Sequence, residues 1–234
     1  MLSDDLLALQ RIDSAIDQLA HRRANLPERA AAEKASDELT RTTTQITALL
    51  GRQRQLNDAI EAAEQTGAEL TRHRERLQAQ LRTVSSPREA EALTHELDAL
   101  AIRRDELDDS ELANLEEQSK VVDDLAAAHR AEIELAATAE RATSELAAAE
   151  AAIDVEVADY TVQRSEAVTR LDGGTLADYE QRRAHHGGVA VATLEGSRCG
   201  GCHLDLSTFE LANAKATPAG EYTDCPQCGR MLIP

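Results

Sequence analysis

The residues able to do chemistry stand in the last quarter of the chain, where Cys199 and Cys202 form one pair and Cys225 and Cys228 a second. No other cysteine exists in the 234 residues. Two C-x-x-C knuckles separated by 22 residues supply four thiolates for the corners of a tetrahedron, the ligand set of a structural zinc ion. Gly200, Gly201 and Gly229 permit the positive φ that such tight turns use, and Pro226 presets the second turn. The reading is one Zn2+ per chain on Cys199, Cys202, Cys225 and Cys228. Rubredoxin-like iron also suits Cys-Pro-Gln-Cys-Gly, but Tyr179, Tyr222 and a single Phe offer a redox centre little shielding. Two disulfides need an oxidising compartment, and the acidic start Met1-Leu2-Ser3-Asp4-Asp5 is unlike a secretory leader. A thioredoxin-like pair needs a βαβ setting that the pattern does not offer. His203, adjacent to Cys202, reads as a surface or supporting residue rather than a ligand in place of a thiolate, since adjacent residues rarely both reach one metal.

The elements that must carry this centre are helical. Aromatic residues make up 2% of the chain, with no Trp and one Phe, while Ala, Leu, Glu, Asp, Arg and Gln dominate. That composition suits long helices and coiled coils and cannot fill one large globular core. Leu9, Ile12, Ile16, Leu19 and Leu26 mark an amphipathic helix, with Ser3 as its expected cap and a kink or restart at Pro27. From Leu39 a heptad runs through Ile46, Leu49, Leu56, Ile60, Ala63, Leu70, Leu77 and Leu81 to Val84, with Gln53, Gly67 and Arg74 as faults. Val84-Ser85-Ser86-Pro87 ends it. A second helix follows Leu93, Leu97, Leu100, Leu107, Leu115, Val122, Leu125, Leu146, Ile153 and Val157, with a stutter between Leu107 and Leu115, and closes near Leu171.

The expected architecture is therefore mostly α. Residues 1–171 form a long antiparallel helical hairpin, kinked near 27 and turning at 85–87; residues 172–234 form a C4 zinc ribbon with a short leading helix capped by Thr175. Arms of nearly equal length would each reach on the order of 125 Å at 1.5 Å per residue. Within the ribbon, the pattern predicts a turn at His185–Gly188, strands at Val189–Leu194, Glu221–Thr223 and Arg230–Ile233, and a helix at Leu206–Ala214.

The net charge of −18 is concentrated: residues 1–86 sum to −1, 87–171 to −14 and 172–234 to −3. An acidic arm repels phosphate and favours basic protein partners. Near the turn, Arg72, Arg74, Arg76, Arg82 and Arg88 face Glu89, Glu91, Glu96 and Asp98, which predicts ion pairs across the hairpin. The ribbon's cations, Arg182, Arg183, Arg198, Lys215 and Arg230, are the candidate contacts to nucleic acid or a partner, and the ribbon is the expected binding end. No apolar run approaches the roughly 20 residues of a membrane span. The expectation is a cytoplasmic protein, monomer or weak dimer. Four thiolates leave zinc no open position for water, so catalysis is not expected.

Several motifs occur together and in order: Arg88-Glu89-Ala90-Glu91-Ala92-Leu93, Tyr179-Glu180-Gln181-Arg182-Arg183, Gly188-Val189-Ala190-Val191, Cys199-Gly200-Gly201-Cys202-His203 and Cys225-Pro226-Gln227-Cys228-Gly229-Arg230. With them the whole chain resembles the bacterial family of coiled-coil proteins with a C-terminal C4-type zinc ribbon. The resemblance implies the four cysteines as metal ligands and nucleic-acid binding, whereas the long hairpin and its −14 arm point to an adaptor that docks a protein partner; either role would serve transcriptional or post-transcriptional regulation. The resemblance also implies a sigma factor, messenger RNA or secretion-apparatus components as partners. The chain departs from the family pattern at Leu206-Ser207-Thr208, where many members carry Leu-Pro-Pro, and at Ile233-Pro234, where many end in an aromatic.

Overall fold

A computed structural model describes residues 1–234. Five helices and four short strands follow in order: α1 (Leu2–Ala24), α2 (Pro27–Thr83), α3 (Pro87–Val168), α4 (Gly173–His185), β1 (Val191–Glu195), β2 (Arg198–Cys199), α5 (Thr208–Lys215), β3 (Thr223–Asp224) and β4 (Met231–Ile233). The long helical hairpin and the small C-terminal cysteine-bearing sheet are as the sequence predicts. Pro27 and Pro87 each open a helix, where the missing N–H has no intrahelical partner to lose. No helix is long and apolar enough to cross a membrane.

The chain divides into two compact units, residues 32–142 and residues 1–31 with 143–234. This differs from the expected division at 171/172. Leu6 and Leu9 of α1, Ala167 of α3, Tyr179 of α4, Val191 of β1 and Met231 and Ile233 of β4 share one buried cluster, so the hairpin's base and the ribbon form a common core.

In the 32–142 unit, Arg52 meets Glu117, Gly67 lies under Arg104 and His73 meets Glu96, numbers rising on α2 as they fall on α3. The two helices are antiparallel. Ile46, Leu56, Ile60, Ala63, Gly67 and Leu77 of α2 are buried, as its heptad predicts. Gly67 lets the Arg104 side chain lie across α2; a Cβ there would stand 1.9 Å from a guanidinium nitrogen and the arginine would have to move.

On α3 the expected stutter is absent. Leu107, Val121, Leu125 and Ala128 keep one 3–4 phase, whereas Leu115 and Val122 are 42% and 46% exposed. The seam between Leu107 and Val121 is filled by the partly buried Glu111, Asn114 and Gln118. Leaving that phase would break the regular partner face of α2, and one member of the polar seam is paired across the hairpin: Gln118 Nε2 donates to Asn57 Oδ1 at 2.6 Å. The ion pairs expected across the tip are also mostly absent. His73–Glu96 at 3.5 Å is the one cross-hairpin pair there; Arg72, Arg74, Arg76, Arg82 and Arg88 form none.

The helix ends correct two further expectations. Ser3 is buried inside the first turn of α1, with Met1 at the cap position. Asp172, not Thr175, caps α4, its carboxylate accepting from Gly174 N and Thr175 N. Thr175 instead donates its hydroxyl to Asp172 at 2.7 Å, which with the backbone bonds holds that carboxyl below its usual range.

Candidate metal centre

The ribbon sheet runs β2-β1-β4-β3. β1 and β4 are parallel, Val191 opposite Met231 and Thr193 opposite Ile233, while β2 and β3 pair antiparallel on either side. The parallel pair requires a crossover, and that crossover carries both knuckles and α5. Ser207 and Glu210 form a capping box at the start of α5, each bonding the other's backbone N–H. Cys199 at the end of β2 and Cys225 after β3 are 0% and 2% exposed. They pack with Ala192, Leu206, Ala214 and Leu232 in a second small core. The observed strands are shorter than the predicted runs and shifted toward their C-terminal ends.

The two knuckles are built alike. His203 N donates to Cys199 O at 2.8 Å, and Gly229 N donates to Cys225 O at 2.8 Å. Each donor, four residues beyond its cysteine, is left-handed: φ is 61° at His203 and 75° at Gly229. Gly200 and Gly201 do not use positive φ as expected. They are small because space is short. A Cβ on Gly201 would stand 2.7 Å from Arg230 Cδ and 2.9 Å from Ala192 Cβ; one on Gly200 would stand 3.1 Å from the Thr193 carbonyl oxygen. His203 is exposed and holds a conformation that glycine adopts without strain. His203→Gly should therefore raise the stability of the metal-loaded ribbon by about 0.5–1 kcal/mol. A thermal melt followed by zinc release checks it; an unchanged or lower midpoint would mean the side chain contributes more than its strain costs.

The four sulfur atoms all lie within 4.8 Å of one another. Tetrahedral zinc with bonds of about 2.3 Å places its sulfurs about 3.8 Å apart, so the four fit one ion with little adjustment. Gly201 N lies 3.4 Å from Cys199 Sγ, a backbone donor aimed at a thiolate. Without metal the thiols diverge. Burial pushes Cys225 up; in Cys228 burial is outweighed by N–H donation from Arg230, and that thiol comes down. Metal binding takes up four deprotonated sulfurs, so zinc affinity rises with pH.

Of the five cations named for binding, three are engaged within the fold. Arg182 bonds Asp178 (2.8 Å), Asp224 (2.5 Å) and the Gly229 carbonyl (2.8 Å). Arg183 bonds Asp17. Arg230 donates to Val189 O (2.9 Å) and His186 O (3.3 Å), tying β4 to the turn before β1. Arg198 and Lys215 are exposed and form no ion pair.

Two polar residues that the sequence reading passed over fasten the ribbon to the helices. Gln10 of α1 is 6% exposed; its Oε1 accepts from Ala190 N (2.6 Å) and Val191 N (3.1 Å), and its Nε2 donates to Gly188 O (2.8 Å). The side chain thus completes the backbone pairing of the segment entering β1. Asp13, one helical turn on and 0% exposed, accepts from Tyr179 Oη at 2.7 Å and Arg164 Nε at 2.6 Å. Arg183 Nε stands 3.4 Å from it, an ion-pair distance without hydrogen-bond alignment. Arg164 also reaches Glu180. Burial, and then the neighbouring carboxylate, pushes the Tyr179 phenol well above its usual range, so it remains a donor.

A family profile described as the CT398-like coiled coil hairpin domain matches residues 9–187, and one described as the C4-type zinc ribbon domain matches residues 198–232. The chain is 30% identical over 229 residues to an uncharacterized protein of Mycobacterium tuberculosis, covering 97% of this chain and 93% of that one. Its fold is similar to the solved structure of CT398 from Chlamydia trachomatis (TM-score 0.86, 19% identity, 99% and 97% of the two chains). A structure from Mycobacterium smegmatis is similar too (TM-score 0.83, 23% identity, 99% and 97%). The ribbon match and the four clustered thiols together give the protein one structural zinc ion.

Proposed function

Because this chain belongs to the family of CT398-like coiled-coil hairpin proteins with a C4 zinc ribbon, we propose that it is a non-catalytic adaptor that binds a protein partner. Four thiolates saturate the metal, whose role is then to hold the ribbon together. The observation that carries the adaptor reading lies in the 32–142 unit. Two helices can bury only one stripe of each other, and Leu112, Leu115, Val122 and Ile133 of α3 remain between 42% and 71% exposed. Apolar side chains standing in a row on an acidic helix are the material of a protein interface. Affinity capture from native bacterial lysate, with and without nuclease, tests the reading. Retention of the same partner after nuclease supports an adaptor; loss of every partner on nuclease treatment overturns it.

A second reading, nucleic-acid binding, is favoured by a different observation. Arg72, His73, Arg76 and Arg103 line an open groove of about 940 Å³ in the 32–142 unit, with Glu69 and Glu106 on its walls. On the ribbon only Arg198 and Lys215 are free to contact phosphate, so the weight moves from the ribbon to the groove. Reversing Arg72, Arg76 and Arg103 to Glu should lower RNA affinity more than tenfold and flatten its salt dependence; reversing Arg198 and Lys215 should do less. Filter binding across a salt series checks this. A larger loss in the ribbon variant would return the contact to the ribbon. Arg230→Glu is no test of binding, since it would also break the Val189 and His186 contacts.

A further inference from the structure

The outward face of α3 in the 32–142 unit carries an apolar strip that the hairpin does not use. Leu112 is 57% exposed, Leu115 42%, Val122 46% and Ile133 71%. Their spacings of 3, 7 and 11 residues are each close to whole helical turns, so the four lie in one row. The row is offset by one residue from the seam of Val121, Leu125 and Ala128 that packs on α2. It extends over about 31 Å, roughly six turns.

One border of the row is acidic. Asp105, Asp109, Glu116 and Asp123 recur at spacings of 4, 7 and 7 on the side away from the seam, and none forms an ion pair within the fold. Neighbouring carboxylates that are paired behave differently: Asp108 meets Arg104 at 2.7 Å and Glu117 meets Arg52 at 2.6 Å. Between residues 105 and 134 eleven carboxylates stand against Lys120 and Arg130.

We propose that this strip docks a basic amphipathic helix of a protein partner as a third helix alongside the pair. The inference rests on the adaptor reading and names the chemistry of its partner. The apolar row takes anchors spaced i, i+3/i+4 and i+7, and the unpaired carboxylates take Lys or Arg flanking them. Charge selects among occupants. A second copy laid on the same strip would set acidic border against acidic border, and nucleic acid or an anionic lipid surface would be repelled.

The test uses the full-length, zinc-loaded protein and a fluorescein-labelled 21-residue peptide with Leu at positions a and d and Lys at e and g, read by anisotropy at physiological salt. The same peptide with Glu at e and g is the control. The native protein should bind the Lys peptide at least tenfold more tightly than the Glu peptide. Leu112→Ser with Val122→Ser should weaken the Lys peptide more than tenfold while helical circular dichroism is unchanged, because both side chains are exposed. Asp109→Lys, Glu116→Lys and Asp123→Lys together should reverse the preference toward the Glu peptide. Equal binding of the Lys peptide by the Leu112/Val122 variant would reduce the strip to general charge attraction and overturn the proposal. So would concentration-dependent dimerisation abolished by that variant, which would make a second copy the occupant. If the peptide fails while a nuclease-resistant partner is still captured by the Leu112/Val122 variant, the strip is wrong and the adaptor reading stands.

Discussion

Cys225→Ser should lower bound zinc from about one per chain to less than one-tenth, read by elemental analysis of the purified protein. Cys225 is 2% exposed, and its thiolate is one of four that must converge within a few ångströms. A hydroxyl there leaves three sulfurs and a poor fourth ligand. Structural zinc contributes about 10–16 kcal/mol of apparent binding energy, which here is also folding energy. The small core behind the knuckles has little else: Ala192, Leu206, Ala214 and Leu232 beside the two buried cysteines. Amide signals from the crossover between β1 and β4 should collapse toward random-coil positions. Far-ultraviolet circular dichroism should hardly change, because α5 contributes only eight of the helical residues. Full zinc occupancy in the variant would show that the four cysteines are not the ligands. A collapse of the helical signal would show that the hairpin cannot stand without the ribbon.

Asp13→Ala should be the most damaging substitution outside the metal centre, destabilising the unit of residues 1–31 and 143–234 by about 3 kcal/mol. The carboxylate is the common acceptor for Tyr179 of α4 and Arg164 of α3, with Arg183 beside it. Its removal leaves a buried phenol without an acceptor and takes one counter-charge from each arginine. Glu180 still compensates Arg164 and Asp17 still compensates Arg183, which keeps the loss below that of a fully isolated charge. Tyr179→Phe deletes only one donor and should cost about 1 kcal/mol. Thermal melts of the two variants check the order. If Tyr179→Phe is as harmful as Asp13→Ala, the carboxylate is not the shared acceptor that the geometry makes it.

The two residues on which these predictions turn differ in how readily the sequence shows them. Four cysteines in two spaced pairs have few uses, so the metal ligands are legible at once. The seam of α2 is legible too, since Ile46, Leu56, Ile60 and Leu77 repeat without competition. Asp13 is not. On a helix whose apolar residues already account for its buried face, one more carboxylate reads as a solvated charge, and its partners lie more than 150 residues away. Gln10 is hidden for the same reason. The phase of α3 misleads because Leu115 and Val122 offer an apolar path one residue from the seam. The path actually taken runs through Glu111, Asn114 and Gln118, where a cross-helix hydrogen bond replaces hydrophobic contact. Arg182, Arg183 and Arg230 look like a basic surface in the sequence because, the local Arg182–Asp178 pair aside, their acceptors belong to other elements or to the backbone.

Apart from Ala167 of α3, Leu6 and Leu9 of α1 find their buried neighbours at Tyr179, Ala190, Val191, Met231 and Ile233. During synthesis α1 leaves the ribosome about 170 to 220 residues before those partners exist. At about 5–20 residues per second its apolar face would wait roughly 10–45 s. Residues 32–142 form a compact unit with its own buried cluster of Ile46, Leu56, Val121, Leu125 and Ala128, all of it synthesised before that interval ends. The nascent chain would therefore carry a helical pair while Leu6 and Leu9 still lack most of the core that buries them. Closure of the base awaits β4, whose Met231 and Ile233 complete that cluster.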